Sequence, residues 1–337
     1  MAAFGGQYRV YPLLTESPNH GNSELITGLE DSLASPFGWH DIDGVAGPEF
    51  TITRGNNVLA QEDLDGNNGS GYSPDGGASL NFDFPLDPSQ PLAAYEDAAI
   101  TNLFVWNNFF HDMWYQYGFD EVSGNFQENN YGKGGSGSDS VNAEAQDGGG
   151  TNNANMATPP DGSNPRMQMY LWTQTSPGRD GDFDNGIIIH EYGHGISIRL
   201  TGGPSTSSCL SNSEQGGEGW SDWFGLMLTM KAGDTGPDKR GIGTYVLGQP
   251  TNGDGIRPAP YSTDMSINNY TYGNIGSQAI PHGVGFVWAT MLWEMNWALI
   301  DKHGFDADIY NGSGGNNIAM QLVLDGLKLQ PRQMTRD

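Results

Sequence analysis

The chain has 337 residues and a net charge of −26, with only 14 Lys and Arg against 40 Asp and Glu. That imbalance argues against nucleic acid or an anionic membrane as a partner, and no apolar run reaches the roughly 18 residues a membrane span needs. Fifty glycines point to a loop-rich chain, 11% aromatic residues argue against disorder, and the single Cys209 excludes an internal disulfide.

From the N-terminus, Met1-Ala2-Ala3-Phe4 has no signal-peptide core and reads as an initiator on a processed form, so the start carries no address. Residues 1–91 hold short β-like pieces, Tyr8 to Tyr11 and Phe50 to Thr53, between turns. The stretch from Asp63 to Gly69 resembles part of a Ca²⁺ loop but reads more simply as a solvated polar loop. His20, His40 and, much later, His303 sit in turn-like polar sequence and receive no role.

Residues 92–117 predict a buried helix, dense in Phe, Trp and Leu, with His111 as a satisfied core histidine. The polar tract 124–165 is too long for an idle linker and is expected to contain strands or a functional rim. Arg166 to Trp172 alternates as a strand does. The loop that follows mimics an EF-hand through Asp180, Asp182, Asp184 and Glu191. Asn185 stands where that loop needs Gly, so an EF-hand is rejected, with room left for another Ca²⁺ site at Asp180 or Asp182.

The strongest signal is His190-Glu191-Tyr192-Gly193-His194. Two His at i and i+4 share one face of a helix and can both coordinate Zn²⁺, with the intervening Glu as general base toward a water. Ile187, Ile188, Ile189, Ile196 and Leu200 supply apolar positions, Asp184 or Asn185 can cap the start, and Thr201-Gly202-Gly203-Pro204 stops the helix.

A catalytic zinc site needs a third ligand. Leu200 occupies the place where a third His would follow at a six-residue spacing, and Cys209 is alone. Glu218 is the best candidate, in Gly217 to Asp222, from which an amphipathic helix is expected to continue from Trp220 through Met230, with Asp222 one turn on to orient a ligand His. Glu214 is the weaker rival, in a polar loop. His282 opens a nearly all-apolar helix and is placed to donate to a developing oxyanion.

Assembled, these residues resemble the fungalysin family of secreted zinc metalloendopeptidases, relatives of thermolysin. The likeness extends to Ala34-Ser35-Pro36-Phe37, Thr53-Arg54-Gly55-Asn56-Asn57, Thr151-Asn152-Asn153-Ala154-Asn155, Ala157 to Gly162, Arg199 to Pro204, Gly217 to Asp222 and Leu327 to Pro331. The resemblance implies an α+β, two-lobed, thermolysin-like fold. A strand-rich N-terminal lobe would span 1–186 and a mostly helical lobe 187–337, with the zinc helix between them. It implies His190, His194 and Glu218 as zinc ligands, Glu191 as catalytic base and His282 as transition-state histidine. Asn153 and Ala154 would lie on an edge strand that holds the substrate backbone.

The implied partners are protein or peptide substrates and an inhibitory propeptide in the precursor. Secretion and a monomeric state are implied too, with no nucleic acid and no membrane. Ca²⁺ joins Zn²⁺ as a candidate cofactor. Two departures stand out: Gly193 replaces a Thr common in relatives, and Arg332 replaces a Cys near an end at which relatives continue into further helices, leaving Cys209 without that partner. The alternatives are a zinc aminopeptidase, against which stands the lack of a Gly-x-Met-Glu-Asn element, and a non-catalytic metal-stabilised binding module.

Overall fold

The structure is a computed structural model and describes residues 5–330. Met1 to Phe4, Pro331 and Arg332 lie outside the described residues. In chain order the elements are β1 (Gln7–Val10), β2 (Glu24–Thr27), β3 (Val58–Glu62), β4 (Asn81–Phe82), α1 (Glu96–Gln116), β5 (Val141–Thr151), β6 (Ala154–Ala157), β7 (Arg166–Trp172) and β8 (Arg179–Asp180). The helices α2 (Asn185–Leu200), α3 (Gly217–Leu228), α4 (His282–His303) and α5 (Gly315–Leu329) follow. Strands therefore occupy the first part of the chain and most helices the second.

The larger sheet runs β3-β5-β7-β6, with β8 also paired to β7. β3, β5 and β7 are parallel, while β6 is antiparallel to β7 and pairs, among the described residues, with that strand alone. β6 thus presents an open edge of backbone N–H and C=O groups, the arrangement that accepts an extended peptide. A smaller sheet runs β2-β1-β4.

Helix α1 is the centre of the packing. Ala98 through Trp114 are all buried, as its dense apolar sequence requires, and the helix meets β1, β3, β5 and α2. His111 bonds Asp112 and Gln127 in the interior. Aromatic contacts join α1 to the zinc-motif helix and its neighbour, with Phe110 and Tyr192 rings 4.7 Å apart and Trp114 and Phe224 rings 4.6 Å apart.

Two expectations need correction. Phe50 to Thr53 forms no strand; it contributes a single bridge, Ile52 to Asp75, because the chain turns back at once through Arg54 and Gly55. His40 lies in a turn, as expected, but is buried there among apolar rings. Its Nδ1 donates to the Arg54 carbonyl at 3.0 Å, so its Nε2 accepts from the Tyr8 hydroxyl at 2.9 Å; the ring stacks on Phe82 and Phe104, and burial pushes its pKa down to about 4.

Helix α2 is enclosed on nearly every side. Asp184 occupies its N-cap position, though without a capping bond from its side chain, and Gly202 and Gly203 at positive φ end the run after Thr201. Arg199, in its last turn, is fully buried, pairs with Asp139 at 2.8 Å and reaches the carbonyls of Gly124, Pro159 and Ser163. That cation favours the helix C-terminus and ties α2 to the 124–165 tract, which supplies β5 and β6.

α3 and α4 cross at two glycines. A Cβ on Gly285 would lie 2.4 Å from the Glu218 Cβ, and one on Gly219 would lie 2.3 Å from the Gly285 carbonyl oxygen. Gly285→Ala should therefore part the helices, displace Glu218 and lower stability by about 1–3 kcal/mol, less the ~1 kcal/mol that Ala gains in helix propensity. Gly326→Ala on α5, where a Cβ meets nothing within 4 Å, should stabilise instead, by up to ~1 kcal/mol. Thermal melts of the two variants, with zinc affinity for the first, check the contrast.

Candidate metal centre and catalytic cleft

His190 and His194 stand one turn apart on α2 with ring centroids 4.7 Å apart, and Glu218 reaches them from the first turn of α3. Gly193 lets the two helices close, since a Cβ there would meet Phe224 Cδ2 at 2.9 Å and Ser221 Cα at 3.0 Å. Glu218 Oε2 lies 3.3 Å from His190 Nε2, and Oε1 lies 3.7 Å from His194 Nε2. One donor atom from each of the three falls within 4.8 Å of the others.

These spacings fit zinc. Ligands bound tetrahedrally at ~2.0–2.1 Å stand about 3.3–3.4 Å from one another. The donor set, two imidazoles and a carboxylate, is also the type that leaves a fourth position open for chemistry.

Asp222, one turn beyond Glu218, is fully buried and its Oδ1 lies 2.8 Å from His190 Nδ1. That bond keeps a proton on Nδ1, so Nε2, which faces Glu218 and His194, is the nitrogen that would bind a metal on losing its own proton. Burial works against a charge on His190, but its bonds to Asp222 and Glu218 prevail and raise it to about 10. Burial and the neighbouring His190 hold His194 down at about 4. Glu218 and Asp222 resist burial through His190 and Arg257 respectively, and both stay well below the usual carboxylate range.

Glu191, also buried, is pushed up to about 7 by burial, with the Glu218 charge adding to it. His282 is the first residue of α4. It is largely exposed at the mouth of the site, its Nε2 3.5 Å from Glu218 Oε1. The structure thus gathers His190, Glu191, His194, Glu218, Asp222 and His282, and the rival Glu214 is not among the three grouped donors.

All but Asp222 of these line one cleft of about 340 Å³, which is also lined by Asn153 and the β6 residues Ala154 to Met156, with Ile187, Ile198, Ile242 and Ile256 as apolar lining. Asp180 and Asp182 are not among the three grouped donors. Asp180 accepts from Gln146 Nε2 and from the Asp182 N–H.

The sequence model of the Fungalysin metallopeptidase family matches residues 7–336. The chain belongs to that family. It is similar to "Extracellular metalloproteinase 2" of Trichophyton tonsurans, 44% identical over 339 residues, 96% of this chain and 52% of that protein. It is likewise similar to "Extracellular metalloproteinase MEP" of Pyricularia oryzae, 45% identical over 338 residues with the same coverage. The chain spans about half the length of the curated relatives it matches.

The fungalysin site contains two residues that sequence reasoning missed. Arg257 donates to both oxygens of Asp222, from Nε at 2.7 Å and Nη2 at 2.8 Å, and its Nη2 also approaches Glu218 Oε2 at 3.5 Å. Tyr261 donates its hydroxyl to Asp222 Oδ2. Asp222 thus collects four hydrogen bonds, and Arg257 lines the cleft beside the ligands. The available signal was an arginine in a chain with few cations, flanked by Ile256 and Pro258.

Proposed function

We propose that this fungalysin is an extracellular zinc endopeptidase that cuts internal peptide bonds of proteins and peptides. It would be matured from a precursor by loss of an inhibitory segment and act as a monomer. The observation that carries the reading is the convergence of His190 Nε2, His194 Nε2 and the Glu218 carboxylate at a cleft walled by an unpaired strand edge. The strand-rich residues 1–186 and the helical residues 187–337 would form the two lobes flanking that cleft.

His190, His194 and Glu218 would hold zinc, which when bound supplies Lewis acidity toward the scissile carbonyl and the attacking water. Glu191, lining the cleft on the turn between the two His, takes the proton from that water and passes it to the leaving amine. A carboxyl already raised by burial suits both halves of this shuttle. His282 at the mouth donates to the oxyanion as it develops, and the backbone of Asn153 and Ala154 pairs with the extended substrate. Asp222 positions His190 and is itself positioned by Arg257 and Tyr261.

An internally quenched peptide with a blocked N-terminus tests this reading. The zinc-loaded protein should cleave it internally, lose that activity on zinc removal, and regain it with one equivalent of zinc. Release of N-terminal residues from unblocked peptides only would favour an aminopeptidase. One zinc bound with no cleavage of either peptide would favour a binding module.

A further inference from the structure

A second group of carboxylates lies on β5 and at the end of β3, in the sheet whose β6 edge lines the cleft. Asp63, Glu144 and Asp147 are all buried and each offers an oxygen within 4.8 Å of the others. Their approach depends on an irregularity in β5. Residues three apart on a regular strand face opposite ways, but three steps along β5 from Glu144 to Asp147 match only two along β7, from Gln168 to Tyr170. The extra residue is a bulge containing Gln146 at φ +48°, whose amide group is turned away to Asp180. Glu144 and Asp147 consequently come together on one side, and the Asp63 loop closes over them through Gly148 N–H to Asp63 C=O at 2.8 Å.

Most oxygens in the group have donors. Asp63 accepts the N–H groups of Asn67 and Asn68, Asp147 accepts Gly149 N–H and Gln168 Nε2, and Glu144 Oε1 pairs with Arg166. Glu144 Oε2 has none, although the residue is fully buried. An ionised carboxylate oxygen in that position calls for a cation or a proton. Arg166 is, among the described residues, the one cation paired with any of the three, which leaves two negative charges uncompensated.

We infer that Asp63, Glu144 and Asp147 form a Ca²⁺ site, with the unpartnered Glu144 Oε2 as its buried ligand. The donor set is all oxygen, which selects a hard cation over zinc. A divalent ion balances the residual charge of two. Ca²⁺ suits the irregular meeting of a loop and a bulged strand, whereas Mg²⁺ demands near-octahedral ligands at shorter distance. Burial and the charges of Asp63 and Asp147 raise Glu144 to about 7, consistent with a site that lacks positive charge. From Asp147 the chain runs through Gly148 to Thr151 and into β6, so the ion would fix the strand that walls the cleft.

The test uses zinc-loaded protein in calcium-free buffer, titrated calorimetrically with CaCl2 or MgCl2 and melted with and without millimolar CaCl2. The wild type should bind one Ca²⁺ with Kd on the order of 10⁻⁴ M or tighter, and its Tm should rise by about 3 °C. Glu144→Gln and Asp147→Asn should each weaken Ca²⁺ binding at least about tenfold and abolish the rise. Their melting points without Ca²⁺ should equal or exceed that of the wild type, since repulsion is relieved, and a merely structural loss would not produce this pattern. Asp43→Asn, in the more exposed group of Asp41, Asp43 and Glu49, should keep the rise. No Ca²⁺ binding by the wild type overturns the inference, as does equal affinity for Mg²⁺ or a rise that survives both substitutions. These readouts do not involve peptide cleavage, so the inference stands or falls apart from the proposed activity.

Discussion

Glu191→Gln should lower kcat roughly 10³-fold while zinc stoichiometry and folding remain intact. The substitution keeps the shape of a buried side chain on the enclosed helix α2 and removes only the ability to exchange a proton. Glu191 does not belong to the three grouped donors, so loss of its charge should not release the metal. The melting temperature should be unchanged or slightly higher, because the carboxyl is held near 7 chiefly by burial and a neutral amide escapes that penalty. Glu191→Asp should be nearly as damaging, by about 10²-fold, since one methylene less withdraws the carboxylate by ~1 Å from the reacting water. The measurements are steady-state cleavage of the blocked peptide, zinc content and thermal melts on the same preparations. A Glu191→Gln enzyme that retains about a tenth of wild-type kcat would remove Glu191 as the general base.

The parts of this site that could be read in the sequence are those set by a single helix. His190 and His194 share a face because they are one turn apart, and Glu218 and Asp222 do so for the same reason. Strand β7 from Arg166 to Trp172 and the core helix α1 were legible from their alternation and apolar density. Arg257 was not, since it arrives from irregular chain that is placed by distant contacts such as the bridge between Arg240 and Tyr261. No local period announces such a residue. His40 was misread for a related reason: the rings that bury it, Tyr8, Phe82 and Phe104, come from three separate stretches. The loop at Asp63 showed its acidic spacing, but not the Glu144 and Asp147 that meet it, because a bulge had to turn them to the same side.

Asp222→Ala should weaken zinc binding by about 10–100-fold and destabilise the protein by about 3–5 kcal/mol. The two effects have one origin. Asp222 accepts the bond that keeps the proton on His190 Nδ1, and without it the ring can turn or change tautomer, so Nε2 is no longer presented to the metal. The same carboxylate neutralises Arg257, whose one other ion pair among the described residues is with Glu218 at 3.5 Å. Truncation leaves that buried guanidinium to swing toward Glu218 and draw a ligand carboxylate off the metal. Asp222→Asn, which keeps the volume and one accepting oxygen, should lie between wild type and Ala. Tyr261→Phe removes a single neutral donor and should cost only ~1 kcal/mol, with zinc affinity little changed. Zinc competition against a chelator and melts of the zinc-depleted proteins separate affinity from stability. If Asp222→Ala loses stability yet binds zinc as tightly as wild type, Asp222 serves the fold alone and the positioning of His190 must come from elsewhere.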